Sequence, residues 1–304
     1  MTVHDDGGLG QFIRVNWPEK VSAEILYHYT SHKVLTQFLK GDAILYCTRI
    51  DELNDKNENR WGFAYLCTYL RRRYGWERPE IVLLHKYCLN LMRECKGFLP
   101  GSMSFSYKGN NGGLWNLQKG YIPKEGGYSI GFHKSDLLKN IYEVNKTYSS
   151  HEILLIPIFY LGVDKEAINR IIEFYLACTF SRLRKYIHAP NAWIQHTNVI
   201  GRLLLFPLFI KGRVWSEVKE LRLVFINRSL KMSCKTVVVG GKNRYPSISC
   251  LQRHCGVNMM IRKIYASPFP TSNRECRMDS IRHELRKVKL DRRIAVDYGY
   301  VDNG

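Results

Sequence analysis

Short apolar segments of strand character are interleaved irregularly with segments of helical period along this chain, and that order limits its fold more than any other feature. A strand is predicted to end at Tyr27-His28-Tyr29-Thr30, and further strands at Ile44 to Cys47, Ser102 to Ser106, Tyr128 to Phe132, Ile153 to Leu161, Glu220 to Ile226, Thr236 to Val239 and Ile261 to Ser267. Between them, Val34, Leu35, Phe38 and Leu39 share one face of a short helix capped by Ser31 and stopped by Gly41. Longer helices are predicted for Trp61 to Tyr74, Pro79 to Cys95, Ser135 to Lys146, Asp164 to Ile187 and Asn273 to Leu290, with an interrupted one at Val199 to Ile210 around Pro207. Strict strand-helix-strand alternation is missing, so an α+β architecture is expected in place of a doubly wound one.

The chain has 304 residues, 45% of them hydrophobic, enough to bury a full core. No low-complexity linker or fixed-period repeat divides it. One domain is expected over residues 21–290, after a loose, Gly- and Asp-rich lead-in at 1–20 and before a tail at 291–304. The runs Ile153 to Leu161 and Val199 to Ile210 are too short or too interrupted to span a bilayer, so no membrane partner is expected. The opening MTVHDDGGLG has no secretory pattern, and nine cysteines without a close C-x-x-C pair read as reduced thiols. Both features point to a cytoplasmic protein.

Lys and Arg number 46 against 27 Asp and Glu, a formal net charge of +19. Such an excess is the footprint of a polyanionic partner, because phosphate neutralisation supplies most of the non-specific affinity for nucleic acid. The charge gathers at Arg71-Arg72-Arg73, Arg182-Leu183-Arg184-Lys185, Lys211-Gly212-Arg213 and the stretch from Arg282 to Arg293. Arg71, Arg72, Arg73, Lys211 and Arg213 are the expected phosphate contacts. RNA is the favoured partner, since the interleaved Tyr and Trp offer stacking surfaces for unpaired bases. Cys250, His254 and Cys255, with Cys276 and His283 later, lack the spacing of a structural zinc site, and no metal is expected.

Four spaced segments resemble the bacterial family called domain of unknown function 2971. They are Leu26-Tyr27-His28-Tyr29-Thr30-Ser31; Leu53-Asn54-Asp55 with Glu58; Met103-Ser104-Phe105-Ser106 with Gly113-Leu114-Trp115 and Ser129-Ile130-Gly131-Phe132; and Glu220-Leu221-Arg222-Leu223-Val224. A strand-borne His with hydroxyl neighbours, then a Ser-x-Ser strand, then a late strand-borne Glu also resembles the three-part signature of ADP-ribosyltransferases. That resemblance implies a mixed, mostly antiparallel split sheet with flanking helices. It implies NAD as a substrate held by His28 and Thr30, with Ser104 and Ser106 supporting the pocket and Glu220 as the catalytic group; Tyr29 and Trp115, as hydrogen-bonding and stacking side chains, and Arg222 are the further expected contacts of that pocket. Many members carry an acidic or amide residue two before that Glu. Here Val218 stands there, and Glu217 is out of phase with the strand face.

The chemistry the resemblance implies is loss of nicotinamide through an oxocarbenium-like centre, which a fixed carboxylate on a stiff strand would stabilise. With the charge, this gives transfer of ADP-ribose to nucleic acid by a bacterial toxin or phage-defence effector, with an antitoxin as a possible partner. It requires His28, Ser104 and Glu220 to meet at one cleft. Three alternatives stay open: Glu220 and Arg222, two apart on one strand face, brace the fold as an ion pair; the chain is a non-catalytic basic nucleic-acid-binding module; or it is a metal-free nuclease.

Overall fold

In the computed structural model of the protein the described residues are 6–39, 45–53, 58–94, 99–111, 114–115, 127–147, 151–186, 203–227, 237–239, 242–245, 261–267, 274–287 and 294–298. The elements in chain order are α1 (Asp6–Asn16), β1 (Ile25–Thr30), α2 (His32–Leu39), β2 (Cys47–Arg49), α3 (Glu58–Tyr74), α4 (Arg78–Glu94), β3 (Gly101–Ser106), β4 (Tyr128–His133) and α5 (Lys134–Thr147). After them come β5 (His151–Pro157), β6 (Phe159–Tyr160), α6 (Lys165–Tyr186), β7 (Ile210–Lys211), β8 (Glu220–Asn227), β9 (Val237–Val239), β10 (Lys242–Tyr245), β11 (Ile261–Ala266), α7 (Arg274–Lys287) and β12 (Ala295–Tyr298). The class is α+β, with an open, mostly antiparallel sheet and flanking helices.

Ten strands form the main sheet, in the order β12-β11-β4-β1-β3-β2-β10-β9, with β8 paired to both β3 and β5. Only β11 and β12 run parallel in it among the described pairs. β6 and β7 make a separate parallel pair. The register at β3 sets the site. Ser106 lies between Tyr27 and Glu220, and Ser102 between Thr48 and Val224. A strand has two edges, so β1 and β2 must share the edge opposite β8, and the sheet forks there.

Strand side chains alternate between faces, and the register sorts them. Leu26, Phe105, Tyr128, Ile130, Phe132, Leu221 and Leu223 turn to one face and pack with Leu35 and Phe38 of α2, Leu137 and Val144 of α5, and Ile281 and Leu285 of α7. Toward the β5 side the other face carries Ile156 and Val224, covered by Leu66 and Leu70 of α3, Leu84 of α4 and Ile168 and Ile172 of α6. Each such fully buried aliphatic side chain stabilises by about 1.5–3 kcal/mol. The helices therefore flank the sheet on both sides.

Four expectations need correction. The lead-in is not loose from Asp6 onward. α1 forms despite its glycines because Ile13 is buried and Phe12 stacks on Phe174 of α6 at 4.0 Å. Part of the tail joins the sheet, Ala295–Tyr298 forming β12 beside β11. The strand placed at Ile44 to Cys47 begins at Cys47, residues 40–44 lying outside the described residues. The run from Ile153 to Leu161 divides after Pro157, which has no N–H to continue a ladder; β6 follows and pairs with β7 instead.

Candidate functional site

Two strand ends and one short strand bring a carboxylate, two cations and a hydroxyl together. Ser104 on β3 lies opposite Arg222 on β8, with Ser106 opposite Glu220, so all four side chains share a face. The Ser104 hydroxyl donates to Glu220 Oε1 at 2.5 Å, and Arg222 Nε donates to the same oxygen at 2.7 Å. Lys211 Nζ from β7 donates to Glu220 Oε2. Arg222 Nη1 continues to the Leu208 carbonyl at 3.1 Å, and the Glu220 N–H donates to the Tyr160 hydroxyl at 3.0 Å.

The set is nearly sealed: Glu220, Lys211 and Arg222 are 3%, 5% and 1% exposed. One carboxylate faces two cations, so the cluster carries net positive charge. A buried pair of this kind is tolerated only when its remaining donors and acceptors are satisfied, and here they are. Burial raises the Tyr160 phenol above its ordinary range, and the Glu220 charge raises it further.

Next to the cluster the same sheet face becomes aromatic. Tyr27, Tyr29, Leu114, Trp115 and Val218 are buried together, with Trp215 and Tyr265 packed against them. Trp115 meets Tyr29 edge-on at 4.7 Å and anchors its indole N–H on Asn110 Oδ1 at 2.8 Å. Lys211 Nζ stands 5.5 Å from the Trp215 ring centroid and so links the two groups. The segment following β3 lies over this face. The Tyr29 hydroxyl donates to the Lys108 carbonyl (2.8 Å) and accepts the Asn111 N–H (2.9 Å). Ser106 Oγ donates to the Val218 carbonyl and accepts the Lys108 N–H. Gly109 fits here because a Cβ would collide with the rings of Tyr27 and Tyr265. Burial lifts the Tyr29 phenol as well, and pushes Tyr27 up to about 12.

The sequence-derived site residues thus fall into three groups. Ser104, Ser106, Glu220 and Arg222 meet on one face, with Tyr29 and Trp115 beside them. His28 and Thr30 do not join them, because alternation from Tyr27 turns both to the opposite face. The His28 ring lies 6.0 Å from that of Phe105 there, and Nδ1 lies 3.0 Å from the Ser104 carbonyl at the fork of the sheet. Lys211, expected on a nucleic-acid surface, is instead buried on Glu220. The apolar run ending at Ile210 was the signal that it would be.

Arg71, Arg72 and Arg73 are exposed at the end of α3, and Arg213 is exposed as well. Asn54, Asp55, Gly113, Cys250, His254 and Cys255 lie outside the described residues. Tyr27, Tyr160, Trp215 and Tyr265 were missed by sequence reasoning, which has no access to register. No helix among the described residues is long and apolar enough to cross a membrane. A scan against protein-family models, a search of curated proteins and a search of solved structures each return no match.

Proposed function

We propose that this chain is a nucleic-acid-binding protein, with RNA as its favoured partner, that takes hold of phosphate through the arginine-rich end of α3. The observation carrying this reading is that Arg71 and Arg72 are exposed and have no ion pair among the described residues, in a molecule of net charge +19. Basic residues also suit a helix C-terminus by complementing its dipole, which accounts for one or two of them more readily than for a surplus of this size. The test is fluorescence anisotropy with labelled single-stranded RNA and duplex DNA over a range of salt. Salt-sensitive binding, stronger for RNA, is expected. Absence of binding even at low salt would remove the reading.

A second reading, transfer of ADP-ribose from NAD to that nucleic acid, is favoured by one contact. Ser104 and Glu220, far apart in sequence, are hydrogen-bonded beside a Tyr- and Trp-lined face. This is the supporting role that the resemblance to ADP-ribosyltransferases implies for the Ser-x-Ser strand. The reading requires Glu220 to release Lys211 and open to a ribose, since a carboxylate neutralised by two cations offers little to an oxocarbenium centre. Labelled NAD incubated with protein and RNA decides it. Nicotinamide release with a mass-shifted RNA supports transfer, whereas unchanged NAD leaves the binding reading alone. RNA shortened in place of mass-shifted points to a nuclease.

A further inference from the structure

Thr68, Arg71, Arg72 and Gly75 recur three and four residues apart, so they form one stripe at the C-terminal end of α3. Gly75 has φ +63° and open space where a Cβ would stand, and it turns the chain sharply. The turn is fixed by Trp76, whose N–H returns to the Leu70 carbonyl at 3.3 Å and whose side chain is buried. α4 starts immediately afterwards at Arg78. Between the two helix ends lies a hollow of about 690 Å³, lined by the stripe, Trp76, Glu77 and Arg78. The hollow is open and its arginines are exposed, so it can seat a charged group without enclosing a whole ligand.

The electrostatics of the hollow favour an anion. Three guanidiniums face one lining carboxylate, Glu77. The neighbouring acid, Glu80, is already engaged: Oε2 accepts the Glu77 N–H at 2.7 Å and Oε1 accepts Arg184 Nε at 3.0 Å. Arg184 also donates to the carbonyls of Tyr74 and Gly75, at 2.9 and 3.4 Å, covering the negative end of α3. Arg71, Arg72 and Arg78 have no ion pair among the described residues. The N-terminal end of α4 is already capped by Glu80, so the preference of the hollow for an anion rests on the three guanidiniums.

We propose that this hollow is a site for a phosphate monoester, the terminal phosphate of a nucleic-acid strand or of a free nucleotide. A monoester carries about −1.5 to −2 charge at neutral pH and three free oxygens, and so matches several guanidinium forks. An internal diester offers one charge and two free oxygens. The nucleic-acid reading supplies the rest of the ligand, while the phosphate preference follows from the hollow itself.

The test uses the full-length protein with one short RNA sequence bearing either a 5′-phosphate or a 5′-hydroxyl, and with adenosine monophosphate alone. The phosphorylated RNA should bind roughly tenfold more tightly than the hydroxyl form. The double variant Arg71→Glu, Arg72→Glu should abolish the difference, and Lys139→Glu on α5 should preserve it. Circular dichroism checks that the fold is kept. Equal affinity for the two RNAs overturns the proposal and leaves the nucleic-acid reading standing. If neither RNA binds, that reading fails, and adenosine monophosphate then decides the site. Binding lost in the double variant assigns the hollow to free nucleotides, and absence of binding overturns it.

Discussion

Glu220 accepts from Ser104, Arg222 and Lys211 where water is excluded, so removing its charge strands two buried cations. Glu220→Gln should therefore cost about 3–5 kcal/mol of stability, read from the urea unfolding midpoint. A cost below about 1 kcal/mol would show that the cluster does not brace the sheet. Replacing the set together, Lys211→Met with Glu220→Leu and Arg222→Met, should recover most of the loss, since no charge is then left unpaired. Tyr27 acts in the opposite pH range from a carboxylate. Burial, with Tyr265 nearby, raises its phenol from 10.0 to about 12, so the folded chain holds that proton more firmly than the unfolded chain. The associated stability is present in full below about pH 10 and is lost as pH rises toward about 12. Thermal melts across that interval should fall less steeply for Tyr27→Phe than for the wild type, and parallel curves would contradict this origin.

α3 passes the turn at Pro207 with no room for a side chain: a Cβ on Gly62 would lie 2.6 Å from the Pro207 Cα. The obstacle is backbone, which cannot rotate aside, so Gly62→Ala should cost about 1–3 kcal/mol despite alanine's better helix propensity. A raised melting temperature for this variant would mean that the contact is not made. Among the elements that sequence placed well, α3 and α4 bury residues at helical spacing, Leu66 and Leu70 on the first and Leu84, Tyr87 and Cys88 on the second, whereas β1, β3, β4 and β8 are buried on both faces and were marked by short β-rich runs between turns. α1 was illegible because its glycines lower local propensity and its support comes from α6. β12 was missed because β11 stabilises it through the ladder. Half of the candidate site was legible for the same reason. Ser104 and Glu220 each look like inward strand residues, but the antiparallel register that places them 2.5 Å apart is a tertiary fact. That His28 faces away follows from the same register, and no local pattern contains it.

At the scale of the molecule, a net charge of +19 can act either as a diffuse cloud or through a particular face, and the sheet allows the two to be told apart. α3 and α4 cover one face and α5 the other, and each presents exposed cations, Arg71 and Arg72 on the first and Lys139 and Lys146 on the second. For a single strand, each neutralised phosphate contributes about 0.7 to the slope of log K against log salt. If binding is localised at the end of α3, reversing Arg71 and Arg72 to Glu should lower that slope by roughly 1 to 2. Reversing Lys139 and Lys146 removes the same formal charge from the other face and should change it little. A diffuse field would respond alike to both pairs, because it depends on total charge and not on position. Equal slopes for the two double variants would therefore assign the affinity to net charge alone and deprive the α3 end of its particular role.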